Sequence, residues 1–308
     1  VLSRIAESLF WIGRYLERAD DTARILDVQT QLLVEDATID ERLSCEHLLA
    51  VMGVDGPFDG ADRRMILEML AYGTDSPASI ASAVDAARES ARRVRETIST
   101  DFWAAINATW WTLRRSRSMR PAELFRTART QAAMIAGVAD ATMPRDEGWQ
   151  FYSLGRSIER VDMTARLLSA ASLSSEHQVT WPTTLRSCGA YEAFLRAYRG
   201  RETDREAAEF LLLDRLFPRS IVYSLAKAEA SLATLDAGIA RTGVGDEARR
   251  LLGRARAELE YSPLGETLAD LPLGMERLQR SCATASEVVT RRYFSRAEAL
   301  SWVGESTL

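Results

Sequence analysis

The stretch GRYLERADDTAR, Gly13–Arg24, is answered by GRSIERVDMTAR, Gly155–Arg166, at an offset of 155 − 13 = 142 residues. Most shared positions are polar: Arg14/Arg156, Glu17/Glu159, Arg18/Arg160, Asp20/Asp162, Thr22/Thr164 and Arg24/Arg166, led by Gly13/Gly155. At about 100° per residue, Gly13, Glu17, Asp20 and Arg24 fall on one narrow helical stripe, and Gly155, Glu159, Asp162 and Arg166 on its copy. A second stripe carries Arg14 and Arg18, or Arg156 and Arg160. Ile5, Leu9, Ile12, Leu16, Ala19 and Ala23 line the opposite face. The stretch therefore predicts a helix with a core side and a fixed charged side, written twice.

Two further landmarks recur in the same order. Ser44-Cys45 matches Ser187-Cys188, and Pro77, Ser79 and Ile80 match Pro218, Ser220 and Ile221. Nearly constant offsets over three landmarks predict duplication of a whole half, 1–145 followed by 146–308, with the boundary in MPRDEG, Met143–Gly148. The period is too long for a solenoid, so the two halves are expected to pack about a pseudo-twofold axis as one compact unit. The segments between prolines read with helical rather than alternating periodicity. In ASIASAVDAARESARRVRETI, for example, Ile80, Val84, Ala87, Ala91, Val94 and Ile98 share a face, with Pro77 in the first turn. Segments from Ser99, Pro121, Asp146, Pro218, Gly245 and Leu273 read alike. The fold class is all-α, a bundle of about a dozen helices.

Composition narrows the functional classes. The 308 residues are 46% hydrophobic, enough for a substantial core. The net charge of −5 argues against nucleic acid recognised through bulk charge, and Lys227 is the sole lysine, so arginine supplies the cations. No run of about 18 apolar residues marks a membrane span, no signal peptide is visible, and the expected place is the cytoplasm. Cys45, Cys188 and Cys282 show no CxxC spacing and read as reduced, buried thiols. His47 and His177, the two histidines, sit in no ExxH or HExxH motif. A helical di-iron site is thereby rejected, and neither metal nor cofactor is expected. Trp103, Trp110 and Trp111 read as core or interface, whereas Trp11 lies beside the charged stripes.

Three readings of the charged side stand. It is a solvated face carrying i,i+4 pairs such as Asp20–Arg24, worth about 0.2–0.5 kcal/mol each. Alternatively the two helices cross near the axis, glycine permits close approach, and Glu17 pairs with Arg160 while Glu159 pairs with Arg18. Or the stripes line a cleft where arginines bind a carboxylate or phosphate and the acids bind an amine or Mg²⁺. The candidate binding or structural residues are accordingly Arg14, Glu17, Arg18, Asp20, Arg24, Arg156, Glu159, Arg160, Asp162 and Arg166. No nucleophile elbow or phosphate loop supplies a catalytic residue.

LSRIAESLFWIGRYLERADDTARILDV at the start resembles the bacterial alpha-E family, an α-helical domain with a repeated Glu-Arg motif. So do ARESARRVRETISTDFWAAIN (87–107), YSLGRSIERVDMTARLL (152–168) and FLLLDRLFPRSI (210–221). The family's Glu-Arg pairs map onto Glu17-Arg18 and Glu159-Arg160. The resemblance implies partnership with an ATP-grasp-type ligase and a transglutaminase-like protease, encoded beside such domains or fused to them, with a peptide as substrate. The expected role is that of an accessory or scaffold protein in peptide synthesis or modification. The competing expectation is an enzyme whose two repeated helices form a Glu/Asp/Arg active site for amide or peptide transfer.

Overall fold

The structure, a computed structural model, describes residues 2–54, 56, 58, 60–173, 180–199, 203–236 and 243–294. His177 and the last stretch of the second half, 295–308, lie outside the described residues. Every regular element among the described residues is helical. In chain order the α-helices are α1 (Ser3–Glu35), α2 (Glu41–Val51), α3 (Arg63–Leu67), α4 (Ile80–Arg93), α5 (Thr100–Leu113), α6 (Pro121–Thr142) and α7 (Glu147–Leu173). They continue as α8 (Trp181–Ser187), α9 (Tyr191–Tyr198), α10 (Asp204–Leu213), α11 (Ile221–Leu235), α12 (Glu247–Tyr261), α13 (Leu264–Ala269) and α14 (Leu271–Val289). The all-α bundle is as the periodicity predicts. Short helices such as α3 and α13 bring the described total to fourteen.

The long helices α1 and α7 form the central pair. Helices α4 and α6 pack on α1, α11 and α14 pack on α7, and α5 and α12 complete an outer layer. The buried apolar side chains, from Leu9, Phe10 and Ile12 to Phe151, Leu154 and Ile158, make one continuous core. Burying each large side chain contributes about 1.5–3 kcal/mol. Gly13 and Gly155 set the closeness of the central crossing: a Cβ on Gly13 would collide with the Tyr152 carbonyl oxygen, and one on Gly155 with that of Phe10. Only glycine admits such backbone approach.

Several sequence expectations change here. The side of α1 bearing Gly13, Glu17 and Asp20 is buried as well as its apolar side, so the charged stripe faces protein rather than solvent. Pro77 is not in the first turn of α4. Ser79 caps that helix by accepting from the Ser82 N–H, which leaves Pro77 in the preceding turn with its carbonyl accepting from Arg18. Ser220 caps α11 in the same manner, and the Pro218 carbonyl accepts from Arg160.

The match of Ser44-Cys45 to Ser187-Cys188 is not kept in space. Ser44 lies within α2, whereas Ser187 ends α8 and Cys188 is its C-cap. The charged neighbours differ too: Glu41, Asp62 and Arg63 for Cys45, but Asp21, Arg219 and Arg24 for Cys188. A two-residue identity is short enough to arise without positional equivalence.

Candidate functional site

The repeated glutamates sit where α1 and α7 cross, and both are sealed. Glu17 is 3% exposed and Glu159 is 2% exposed. Each takes its cations from the opposite helix: Arg156 Nε (3.1 Å) and Arg160 Nε (2.6 Å) donate to Glu17, while Arg14 Nε (2.6 Å) and Arg18 Nε (2.6 Å) donate to Glu159. Neighbouring residues on a helix point apart, so Glu17 cannot face Arg18, nor Glu159 Arg160. Glutamates and arginines therefore exchange across the crossing, as the crossing-helix reading expects. Arg14 and Arg156 join the two pairings that reading named. Burial pushes the Glu17 carboxyl up, but Arg160, Arg219 and Arg156 outweigh it and hold the group well below the carboxylate range. Glu159 is likewise lowered, burial being outweighed by Arg14 and Arg18. Both glutamates are fixed anions, the wrong state for a general acid.

The two clusters then diverge. Arg219, in the turn before α11, reaches Glu17 Oε1 at 2.9 Å and also bonds Asp20 and Asp21. Its counterpart in the matched Pro-X-Ser-Ile segment is Ala78, and Met163 stands where Asp21 does. An extra acid and an extra base thus occur together on one side. Burial is the chief reason the Asp21 carboxyl is pushed up to about 7; Arg219 lowers it, and the Glu17 and Asp20 anions raise it further. Its Oδ2 has no hydrogen-bond partner among the described residues. Helical periodicity alone does not point to Arg219. The signal that could have found it is the paired charge change, Asp21 against Met163 with Arg219 against Ala78.

Asp20 and Arg24 make the expected i,i+4 pair at 3.1 Å, and Asp162 and Arg166 repeat it at 2.9 Å. The guanidiniums of Arg24 and Arg166 rest on Gly189 and Gly53, both with positive φ, where a Cβ would strike them. All ten candidate residues thus lie along the α1–α7 crossing. Glu17, Asp20 and Asp21 are close enough to share a metal ion, yet the cation bonded to all three is Arg219. Burial pushes the Cys45 thiol up to about 11 and those of Cys188 and Cys282 up to about 12. Such thiols are poor nucleophiles. Burial lowers the His47 pKa. Trp11 stacks on Tyr15 and lies under the Arg14 guanidinium. Trp110 and Trp103 are partly buried, but Trp111 is 54% exposed.

Beside the Glu17 cluster a cleft of about 300 Å³ opens, walled by Ala132, Ala133 and Ala136 of α6 and by Arg24, Arg156, Arg160 and Arg219. On the Glu159 side, α14 takes the flanking place. Ser286 accepts from Arg14 and donates to the Cys282 carbonyl, and Asp162 and Arg14 act electrostatically on the Cys282 thiol.

This fold and its crossed carboxylate–guanidinium network define an all-helical domain organised by a repeated Glu-Arg motif. The chain belongs to the Alpha-E family, described as a predicted alpha-helical domain with a conserved ER motif, whose model matches residues 1–294. Its relatives include the uncharacterized protein Mb2597 of Mycobacterium bovis and the uncharacterized protein MT2643 of Mycobacterium tuberculosis. Each is 29% identical over 263 residues, which is 75% of this chain and 30% of the relative. The chain thus spans less than a third of the length of these relatives. No solved structure matches it. Among the described residues no helix is long and apolar enough to cross a membrane.

Proposed function

We propose that the chain is a non-catalytic helical scaffold that docks onto an ATP-grasp-type amide ligase and serves peptide synthesis or modification with it, a transglutaminase-like protease being a further partner. The observation that carries this reading is the sealing of Glu17 and Glu159 by guanidiniums from the opposite helix. The repeated motif is spent on holding two helices together, so its surroundings are free to serve as a binding surface. The ligase itself enters through the family resemblance, and a match to only 30% of the relatives' length suits a module. The test is calorimetry and amide-formation assays on this chain and its ATP-grasp neighbour, separately and mixed. Binding with a changed ligase turnover is expected; no binding together with unchanged turnover sinks the proposal.

We further propose that the halves 1–145 and 146–308 arose by duplication and pack about a pseudo-twofold axis between α1 and α7. Matched contacts support this: Glu17 with Arg160 against Glu159 with Arg18, Gly13 on Tyr152 against Gly155 on Phe10, and Thr22 on the Ala78 carbonyl against Thr164 on that of Arg219. Expressed apart, neither half is expected to show a cooperative melt, since each buried glutamate loses its cations.

One observation favours the competing reading, an amide-transfer enzyme: the Asp21 carboxyl at about 7 lies close to an arginine-lined cleft. An Asp21→Asn variant that folds and binds the ligase but loses amide formation would support it.

A further inference from the structure

The cleft against α6 carries more positive than negative charge. Its wall holds four guanidiniums, Arg24, Arg156, Arg160 and Arg219, against two carboxylates, Glu17 and Asp20. The carboxylates are already engaged: Glu17 by Arg156, Arg160 and Arg219, and Asp20 by Arg24 and Arg219. The donors are not used up. Arg156 gives Nε–H to Glu17 and otherwise meets the Tyr152 phenol. Arg160 gives Nε–H to Glu17 and Nη1–H to the Pro218 carbonyl, and its Nη2 has no acceptor among the described residues. The Arg24 Nε is buried without a partner.

We propose that this cleft binds a small oxyanion, a carboxylate or a phosphate, held by the spare guanidinium donors of Arg156 and Arg160. Three features make it a built site rather than a charged surface. Salt bridges to Glu17 and Asp20 fix the guanidiniums before any ligand arrives, so little ordering is left to do on binding. The planar fork of arginine matches a carboxylate or phosphate edge. The alanines of α6 leave a pocket of a size suited to a small ligand group. The Glu159 side also fixes its guanidiniums but spends their donors: Ala78 stands in place of Arg219, Ser286 accepts from Arg14, and Arg18 gives two donors to Glu159 and a third to the Pro77 carbonyl.

The inference does not rest on the ligase reading and is tested without the ligase. The intact chain is titrated calorimetrically at low ionic strength with inorganic phosphate and, separately, with N-acetylglycine. Saturable binding of at least one is expected, and the arm that binds distinguishes the phosphate from the carboxylate. Ala136→Leu and Ala132→Leu, which fill the cleft from α6 without removing a charge, are each expected to weaken that binding by about tenfold or more while the protein stays folded. Absence of saturable binding in both arms overturns the proposal, as does unchanged affinity in whichever of the two variants melts like the wild type.

Discussion

The Glu17 and Glu159 clusters begin from the same residues and end differently. Around Glu159 two guanidiniums meet one carboxylate, and the network closes on Ser286 of α14. Around Glu17 the same pair is joined by Arg219, Asp20 and Asp21, and the network opens onto the cleft against α6. One cluster can be explained by holding helices together. The other carries charges beyond that need, one of them an acid pushed towards neutrality. Architecture and function are thus separable within one repeated motif: what the two clusters share binds α1 to α7, and what they do not share is where a ligand has room to act.

The largest effect expected is the loss of either glutamate. Glu17→Ala should destabilise by about 3–5 kcal/mol in denaturant titration, and Glu159→Ala by an amount nearer the lower end, because the first takes a partner from three guanidiniums, of which Arg219 keeps Asp20 and Asp21, and the second from two. Losses below about 1 kcal/mol would return the motif to a solvated face. Next, the Glu17 cluster can be rewritten as its counterpart. Arg219→Ala alone should cost about 3 kcal/mol by stranding Asp21 while Asp20 keeps Arg24, and adding Asp21→Met should recover about 1–2 kcal/mol of it. Strict additivity would break the link between the two charge changes.

The pH dependence separates Asp21 from the two glutamates by sign. With its folded pKa near 7 and an unfolded one of about 3.9, Asp21 holds a proton that the unfolded chain has released. Its contribution therefore falls as pH rises from about 4 to about 7. Glu17 and Glu159 are lowered instead, so theirs is present above about 4.3 and lost as pH falls below it. Urea midpoints at pH 5, 6, 7 and 8 should decline to about pH 7 and then flatten in the wild type, and stay level throughout in Asp21→Asn. A matching decline in both proteins would assign the effect elsewhere. The smallest change concerns the i,i+4 pairs. Arg166→Ala, at the more exposed pair, should cost under about 1 kcal/mol, and less than Arg24→Ala in the same melts.

The sequence made the helices legible because they follow from local periodicity, and it offered the crossed pairs as one of three readings of the charged side. Glu17, Asp20 and Arg24 lie one and two turns apart, and two copies of such a stripe constrain each other. Arg219 was not legible in that way. It approaches Glu17 from a turn 202 positions along the chain (219 − 17), and only its difference from Ala78 in the matched segment marks it as a partner. The burial of the charged stripe was hidden for a related reason, since a helix pattern shows which residues share a side but not what covers that side. The cleft depends on small residues of α6 whose spacing reads simply as helix. The Ser-Cys landmark shows the converse, a local identity with no shared place in the fold.

The exchange of arginines between α1 and α7 also governs the order in which the molecule can assemble. Bonds closing Glu17 and Glu159 join residues 139 to 145 positions apart. During synthesis α1 leaves the ribosome before α7, and at the usual elongation rate its partners on α7 follow roughly 7–30 s later. Until then Glu17 stays hydrated and the apolar face of α1 has no α7 to cover it. The closing of the crossing therefore waits on contacts distant in sequence, which helix formation alone does not supply.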